Sequence, residues 1–371
     1  MQSIIVIGSG ILGASTAYHL ARQGVEVTII DRNDPGQATS AAAGIICPWL
    51  TNRSNEAWYE LVKAGASYYP DLIEGLKADG ETETGYAQVG AINIFDTEEK
   101  LDRKLEIALK SREDAPEMGA ISRLSPMETK ALFPPLADHY WAVHISGAGK
   151  VDGEELRNAL IRAAQKNGAR VVNGDASLIF EDSTVTGVNV SGSSLYADKV
   201  IVTGGVWANQ LLEPLGLKFN VTPQKAQIVH LQIPETDTSN WPVVLPPYSQ
   251  YMLGFSGGRV VVGSTHEEEA GFDTRVTVNG VNQIISKALK VAPGLATSTY
   301  VETKVGLRPF TSGSLPIYGP VPHMKGLFVA NGLGASGLTS GPFLGAELAN
   351  LVLGNELQLD PATYDVSSAF Y

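Results

Sequence analysis

The chain has 371 residues, and its 44% hydrophobic and 18% charged content is typical of a globular protein with one large domain or two ordinary ones. A formal net charge of −12 without a cluster of Lys and Arg argues against nucleic acid or an anionic membrane as the main partner. The single cysteine excludes an internal disulfide, and no apolar run approaches the ~18 residues of a membrane-spanning helix. Because the N-terminus also lacks the features of a signal peptide, we expect a cytoplasmic protein, with its oligomeric state and any peripheral membrane contact left open.

The first 31 residues predict a strand, a glycine turn, a helix and a second strand. An apolar run at residues 1–7 leads directly into the sequence GSGILG, at positions 8–13. Apolar residues at helical spacing follow until Gly24, and a second apolar run ends at Asp31. This order, with an acid about 20 residues after the last glycine, is typical of a dinucleotide-binding unit.

Each residue of this unit has a physical task when a dinucleotide is bound. Gly8 allows the tight turn, Gly10 lets backbone N–H groups approach the pyrophosphate, and Gly13 lets the helix pack close to the strand. The positive end of the helix then faces the phosphates. We expect Asp31 to accept hydrogen bonds from ribose hydroxyls.

A loop rich in small residues follows, at positions 33–49. Thr39, Ser40 and Gly44 lie where a second phosphate contact could be made. The alternative is a solvent loop that leads into a helix near residues 55–78, and the composition of the loop does not decide between the two.

The middle of the chain predicts further strands and helices without obvious chemistry. Strands are predicted at residues 88–95, 169–172, 185–190, 199–203, 227–233, 250–255 and 259–263, and helices at residues 98–112, 154–167 and 282–291. Ser125 to Glu128 form a capping box that predicts one more short helix. A glycine turn at positions 256–258 is expected to join the last two strands.

Glycine-rich segments recur near the other end of the chain. The strand at 199–203 ends in paired glycines, Gly204 and Gly205, which suits a second backbone approach to a long cofactor. From Leu327 the order of strand, glycine loop and helix returns in LFVANGLGASGLTSGPFLGAELANLVLG. FAD is long enough to contact both ends of a chain, so this recurrence favours FAD over a nicotinamide cofactor.

GSGILG, the acid at position 31 and the later segment TSAAAG resemble the FAD-dependent D-amino-acid oxidase superfamily, most of all its glycine oxidase and D-amino-acid dehydrogenase branch. The resemblance implies an α/β fold, with a Rossmann-like FAD-binding domain and an inserted α+β substrate domain on a mixed, largely antiparallel sheet. The implied boundaries are residues 1–85, 145–215 and 305–371 for the FAD-binding domain, and residues 86–144 and 216–304 for the substrate-binding domain.

The motif and the resemblance together imply FAD contacts from several separate segments. The expected contacts are Gly8, Ser9, Gly10, Ile11, Leu12, Gly13, Asp31, Arg32, Thr39, Ser40, Ala43, Gly44, Ile45, Ser177, Thr203, Gly204, Gly205, Trp207, Arg308, Gly334, Ala335, Ser336, Gly337, Leu338 and Thr339. We expect FAD to be non-covalent. Relatives that attach flavin to a cysteine carry it much nearer the C-terminus, whereas the cysteine here is Cys47.

The resemblance also implies the substrate-binding residues. Arg308, in the sequence VGLRPF, matches the arginine that binds the substrate carboxylate, and its alternative role is a structural ion pair. Tyr251 matches a tyrosine that helps to hold the same carboxylate, and Tyr248 competes for that role. The chain departs from the family at Leu333, where many relatives have histidine, and at positions 312–314, which lack the aspartate common after the arginine. The six histidines show no metal-like spacing, so no metal site is predicted.

These observations predict an amino-acid oxidase. It would oxidise the C–N bond of glycine, a D-amino acid or an N-alkyl glycine to an imine by hydride transfer to flavin, and hydrolysis would give the 2-oxo acid. One alternative is a dehydrogenase that passes electrons to a quinone or another carrier. Another is a tRNA-modifying flavoprotein domain, which would favour a basic surface rather than a charge of −12. A non-catalytic nucleotide-binding module would not need Arg308 or the C-terminal glycine loop.

Overall fold

The structure is a computed structural model that describes residues 2–50, 55–247 and 250–371. Its helices are α1 (Ile11–Arg22), α2 (Glu56–Ala78), α3 (Glu98–Asp114), α4 (Pro126–Leu132), α5 (Gly153–Lys166), α6 (Ala208–Leu212), α7 (Val278–Val291) and α8 (Gly337–Leu353). Its strands are β1 (Ser3–Ile7), β2 (Glu26–Asp31), β3 (Ile45–Ile46), β4 (Tyr86–Gln88), β5 (Ala91–Phe95), β6 (Ile121–Leu124), β7 (Trp141–Ile145), β8 (Gly149–Val151), β9 (Arg170–Asn173), β10 (Ala176–Glu181), β11 (Thr184–Val190), β12 (Ser193–Tyr196), β13 (Lys199–Val202), β14 (Val221–Gln232), β15 (Val243–Leu245), β16 (Tyr251–Gly254), β17 (Arg259–Gly263), β18 (Thr299–Thr311), β19 (Ile317–Pro320) and β20 (Leu327–Asn331).

A six-stranded sheet carries both ends of the chain. Its order is β19-β20-β13-β1-β2-β9, and all its pairs are parallel except the antiparallel edge pair of β19 and β20. The predicted unit of strand, helix and strand is confirmed as β1, α1 and β2. Parallel strands end at the same edge of a sheet, so the loops after β1, β2, β13 and β20 meet there.

Successive side chains of β1 point to opposite faces of this sheet, and both faces are covered. Ile4 and Val6 belong to the core beneath the helices, whereas Ile5 and Ile7 pack with Val188 in a second core. That second core lies against the antiparallel sheet β10-β11-β12. On the helical side, α1 packs against α5 and α8. The α1–α8 contact is close, because Ser15 Oγ donates to the Pro342 carbonyl at 2.6 Å.

An eight-stranded sheet has the order β18-β14-β17-β16-β15-β5-β7-β6. Every pair in it is antiparallel except β15 with β5, which confirms the expected mixed, largely antiparallel sheet. The long strands β14 and β18 pair from Val221 opposite Thr311 to Gln232 opposite Thr299. A third, small sheet has the order β3-β8-β4. The predicted domain boundaries stay predictions.

Some predicted elements differ in extent. The strand expected at residues 88–95 is two strands, β4 and β5, because Gly90 between them has a φ of 75° that breaks the extended backbone. The helix expected from residue 282 begins at Val278, where the Thr277 hydroxyl caps it by accepting from the Gly280 N–H. The capping box at Ser125 is confirmed. Within the described ranges, no helix is both long and apolar enough to cross a membrane.

Candidate active site

A cavity of about 610 Å³ lies at the carboxyl edge of the six-stranded sheet, within the range of about 300–1,000 Å³ typical of ligand sites. Residues from both ends of the chain line it. Of the predicted site residues, the cavity wall includes Gly8, Gly10, Ile11, Leu12, Asp31, Arg32, Thr39, Ala43, Gly44, Ile45, Ser177, Thr203, Gly204, Gly205, Trp207, Tyr251, Arg308, Gly334, Ala335, Gly337, Leu338 and Thr339. Ser9, Gly13, Ser40 and Ser336 do not line it.

The glycine turn after β1 brings the first turn of α1 to the cavity. Gly8 has a φ of 102°, and a Cβ there would lie 2.6 Å from the Thr203 carbonyl oxygen. A Cβ at Gly13 would lie 1.9 Å from the Gly8 carbonyl oxygen, so Gly13 permits close packing and does not itself face the cavity. The first turn of α1 carries no acidic side chain. Its positive end is therefore open to an anion such as a pyrophosphate.

Thr39 supports this helix end from the neighbouring loop. Gly10, at the N-cap position, has no side chain that could accept a hydrogen bond from the helix. Thr39 takes this role, because its Oγ1 accepts from the Ile11 N–H at 3.0 Å. Ser40, which is not in the cavity wall, instead donates to the Gln37 carbonyl at 3.3 Å. The loop at residues 33–49 is thus part of the cavity wall and not only a solvent loop.

Asp31 lies at the end of β2, and its carboxylate already has four donors within the protein. Oδ2 accepts from the Ser9 N–H at 2.6 Å and the Ser9 hydroxyl at 2.9 Å. Oδ1 accepts from the Asn33 N–H at 2.6 Å and from Gln37 Nε2 at 3.0 Å. A carboxylate offers about four acceptor positions, so a ribose hydroxyl would have to replace a side-chain donor. Ser9 therefore contributes to the site through Asp31.

Arg32 closes one end of the cavity through polar contacts. Its Nη1 donates to Asp175 at 2.9 Å and its Nη2 to Gln210 at 2.8 Å, while its Nε contacts Asp34. All three partners line the cavity, as does Ser177 on β10. This network fixes the wall at the end of the cavity that lies beside Asp31.

The C-terminal segment forms another part of the cavity wall. Asn331 Nδ2 donates to the Gly205 carbonyl at 2.9 Å, and Thr339 Oγ1 donates to the Ile45 carbonyl at 2.9 Å. These bonds join loops that are far apart in sequence. The first turn of α8 lines the cavity and, like that of α1, contains no acidic residue. Ser336 instead donates to the Leu333 carbonyl at 2.9 Å, within its own turn.

Arg308 and Tyr251 reach the cavity from the eight-stranded sheet. Arg308, on β18, donates from Nη1 to Gln224 Oε1 at 3.1 Å and from Nη2 to Ser264 Oγ at 3.0 Å. Tyr251 is the first residue of β16, and a Cβ at Gly263 would lie 2.8 Å from its hydroxyl. Burial raises the pKa of Tyr251, and the nearby Arg308 opposes the shift without cancelling it. The tyrosine is therefore a neutral hydrogen-bond donor at neutral pH. Tyr248, its competitor, lies outside the described residues.

Buried side chains of β14 hold the segment that follows β17. Lys225 Nζ lies 3.3 Å from Asp273 Oδ2. Gln227 Nε2 donates to Glu267 Oε1 at 2.8 Å, and Lys225 and Gln227 are both fully buried. Ser264, at the start of this segment, is thereby placed against Arg308.

Several cavity residues were not predicted from the sequence. They are Gln250, Ser264, His266 and Asn331, and Gln224 acts on the site through Arg308. Asn331 is the polar residue that ends an apolar strand, a signal that the sequence carried. Ser264 and Gln224 are recognisable only through the pairing of the strands that bear them. Cys47 is not in the cavity wall, and burial raises the pKa of its thiol to about 12. Within residues 2–50, 55–247 and 250–371, no cluster of three or more His, Cys, Asp or Glu side chains could hold a metal.

Comparison with known proteins identifies the family. The model of the family described as DAO, FAD dependent oxidoreductase, matches residues 3–351. The chain is 59% identical over its full length to the full-length Bacillus subtilis protein named uncharacterized oxidoreductase YurR. It is 29% identical to the glycine oxidase of Pseudomonas aeruginosa, with 98% of each chain covered.

Solved structures agree with this relationship. The iminodiacetate oxidase of Chelativorans sp. superposes with a TM-score of 0.94 at 48% identity, and the alignment covers 98% of each chain. The glycine oxidase of Geobacillus kaustophilus superposes with a TM-score of 0.84 at 27% identity and 99% coverage of each chain. Two acid-free helix N-termini and a glycine-lined cavity fit the long, anionic cofactor of this family. The chain therefore belongs to the family of FAD-dependent oxidoreductases and uses FAD.

Proposed function

We propose that this protein oxidises the C–N bond of a small amino acid that carries a free α-carboxylate, with an N-substituted glycine as the favoured substrate and glycine or a D-amino acid as the other candidates. The observation that carries the proposal is Arg308, a half-buried cation in the wall of the same cavity as the glycine turns. The 48% identity to an iminodiacetate oxidase, together with the match to glycine oxidases, supports the choice of substrate.

The cavity wall divides into parts with different tasks. The first turn of α1 would hold the pyrophosphate of FAD, and Asp31 the ribose, with Ser9 and Gln37 adjusting around its carboxylate. The segment from Gly334 to Thr339 would donate backbone N–H groups to the flavin edge. When bound, FAD supplies the acceptor of a hydride.

The substrate-binding residues orient the reacting carbon. Arg308 presents a planar guanidinium, whose position is fixed by Gln224 and Ser264, to the α-carboxylate. Tyr251 donates its hydroxyl proton in a hydrogen bond to the same group. With the carboxylate held by Arg308, the α-carbon would be oriented toward the cofactor, so orientation and exclusion of water are what the protein would contribute.

The reaction balances without an acid–base pair from the protein. A hydride leaves the α-carbon with the electron pair of its C–H bond, and the nitrogen lone pair forms the C=N bond of the iminium. Water then adds to that carbon, and loss of the amine yields the 2-oxo acid. The amine must be neutral at the moment of transfer, so proton loss from the substrate precedes it.

Anaerobic spectroscopy tests this function. The purified holoenzyme is mixed with glycine, D-alanine, N-methylglycine and iminodiacetate, and the loss of the oxidised flavin absorbance is followed. We expect rapid bleaching by at least one N-substituted glycine, with a 2-oxo acid as product. Failure of every amino acid to bleach the flavin would contradict the proposal. Admitting oxygen or a quinone afterwards distinguishes an oxidase from a dehydrogenase by which acceptor restores the absorbance.

A further inference from the structure

Gln250 has a buried side-chain amide with no hydrogen-bonding partner. The residue is 6% exposed, and it lines the cavity together with Arg308 and Tyr251. Neither its Nε2 nor its Oε1 has a partner in the described part of the chain. Buried polar groups are nearly always paired, and an unpaired one destabilises the fold. An unpaired amide at a cavity wall therefore indicates that a ligand supplies the partners.

Gln250 differs from the other residues with unpaired buried groups because it lies in the cavity wall. The buried side-chain atoms without partners in the described residues also include His230 Nε2 and the Tyr318 hydroxyl, and neither residue is in the cavity wall. The neighbouring polar groups of the wall are engaged with the protein: Arg308 with Ser264, and Asn331 with the Gly205 carbonyl. Among the described residues, Gln250 is thus the cavity-wall residue whose buried side-chain amide has no partner on either of its polar atoms.

The two amide atoms restrict the chemistry of the ligand. Oε1 needs a donor and Nε2 needs an acceptor. The ammonium group of glycine supplies donors only, and an N-methyl group adds a surface that accepts no hydrogen bond. A substrate nitrogen whose substituent ends in a carboxylate or carbonyl supplies both, since the N–H donates and the oxygen accepts.

We propose that Gln250 recognises the substituent on the substrate nitrogen, with Oε1 accepting from the substrate N–H and Nε2 donating to an oxygen of that substituent. This assignment rests on the proposed function, which places the α-carboxylate at Arg308. The substrate class is then a glycine whose nitrogen carries a short substituent with an oxygen acceptor. Glycine and N-methylglycine leave Nε2 unpaired and are poorer substrates.

Two unreactive ethers isolate the contact from turnover. Oxydiacetate and methoxyacetate share a carboxylate and an ether oxygen, and only the first has a second carboxylate. Their binding is measured by perturbation of the flavin spectrum of the holoenzyme. We expect wild type to bind oxydiacetate at least about tenfold more tightly than methoxyacetate. Gln250→Met should lose most of this difference in affinity, while its affinity for methoxyacetate stays that of wild type. Gln88→Met is the matched control, because Gln88 is exposed and lies outside the cavity wall.

Stability gives a second readout that does not depend on the ligand. The apolar side chain of Gln250→Met removes an unpaired amide from a buried position, so the ligand-free variant should melt no lower than wild type. Gln250→Glu keeps the size of the side chain. It should weaken the binding of oxydiacetate more than that of methoxyacetate, because the new carboxylate then faces the second carboxylate of oxydiacetate. The assignment would be overturned if both variants kept the wild-type difference in affinity between the two ethers, or if both ethers lost affinity equally.

The outcomes for Gln250 and for the enzyme's activity are separable. If no amino acid reduces the flavin and yet the difference in affinity between oxydiacetate and methoxyacetate depends on Gln250, the proposed function fails and the binding role of Gln250 stands. If N-substituted glycines reduce the flavin and Gln250→Met oxidises iminodiacetate and N-methylglycine in the wild-type ratio, the role of Gln250 is refuted.

Discussion

Arg308 Nη1 donates to Gln224 Oε1 at 3.1 Å, and the two residues are directly opposed in the pairing of β14 with β18. The sheet register thus gives the guanidinium a neutral partner that helps to fix its position in the cavity wall. Gln224 is a positioning residue, since it acts on the substrate through Arg308.

Substitution of Gln224 tests this relationship. Gln224→Leu removes one hydrogen bond and should raise KM for the amino acid by about 2- to 10-fold, the scale of ~0.5–1.5 kcal/mol, with little change in kcat. Gln224→Glu should raise KM further, because its carboxylate competes with the substrate for Arg308. A merely structural role predicts the reverse order, with the charged variant pairing well and Leu causing the larger defect. Steady-state kinetics at equal FAD content distinguish the two.

The four donors around Asp31 give a different prediction. Asp31→Ala should weaken the binding of FAD by about 1–3 kcal/mol. It should also lower the melting temperature of the FAD-free protein, because the Ser9 and Asn33 N–H groups lose their acceptor. FAD titration and thermal unfolding of both forms measure these effects. Asp71→Ala, at an exposed position on α2, is the control. Unaltered FAD affinity and stability in Asp31→Ala would show that the carboxylate holds neither the loop nor the ribose.

His230 makes the stability of the fold sensitive to acid. Burial lowers its pKa from 6.5 to about 4, with Lys304 acting in the same direction and Glu302 opposing it. The charge of Arg259 also lowers this pKa, and the charge of Asp152 raises it.

The unfolded chain therefore binds a proton at His230 more readily than the folded chain between pH 6.5 and 4. Stability from this group is fully present above pH 6.5 and falls as the pH drops toward 4, by about 3 kcal/mol in total. His230→Gln should flatten that part of the profile in denaturant titrations, whereas His139→Gln, at an exposed site, should not. Parallel profiles for His230→Gln and wild type would refute the assignment.

Cys47 provides a direct test of how the cofactor is attached. The chain has one cysteine, outside the cavity wall and with a pKa raised by burial to about 12, so we expect non-covalent FAD. Acid denaturation should release all the flavin into solution, and the precipitated chain should then titrate as one free thiol. Flavin that stays with the chain, accompanied by loss of that thiol, would show attachment at Cys47.

Local sequence was sufficient to predict the parts of the site that depend on backbone conformation. The turn at Gly8, the start of α1 and the acid at Asp31 are neighbours in sequence, so spacing alone identifies them. The same is true of the C-terminal glycine loop. The resemblance to a known family supplied Arg308 and Tyr251, which no local pattern marks.

The remaining residues of the site depend on long-range register. Gln224 reaches Arg308 only because β14 and β18 pair as they do, and Ser264 only because the segment after β17 is held by Lys225 and Gln227. Ser9 is not in the cavity wall and donates to Asp31, so its predicted contact with FAD stays a prediction. Such contacts arise from tertiary packing, which hydrophobic periodicity does not encode.

Arg308 is the residue that we propose binds the carboxylate of an amino acid beside FAD. The most direct measurement is the rate of anaerobic flavin reduction in wild type and Arg308→Ala, each with full FAD, using the best N-substituted glycine and a matched amine without a carboxylate. We predict a fall of about 2–5 kcal/mol in transition-state stabilisation for the amino acid and no comparable fall for the amine. Equal reduction rates of wild type and Arg308→Ala by the amino acid, with FAD retained in both, would contradict this role of Arg308.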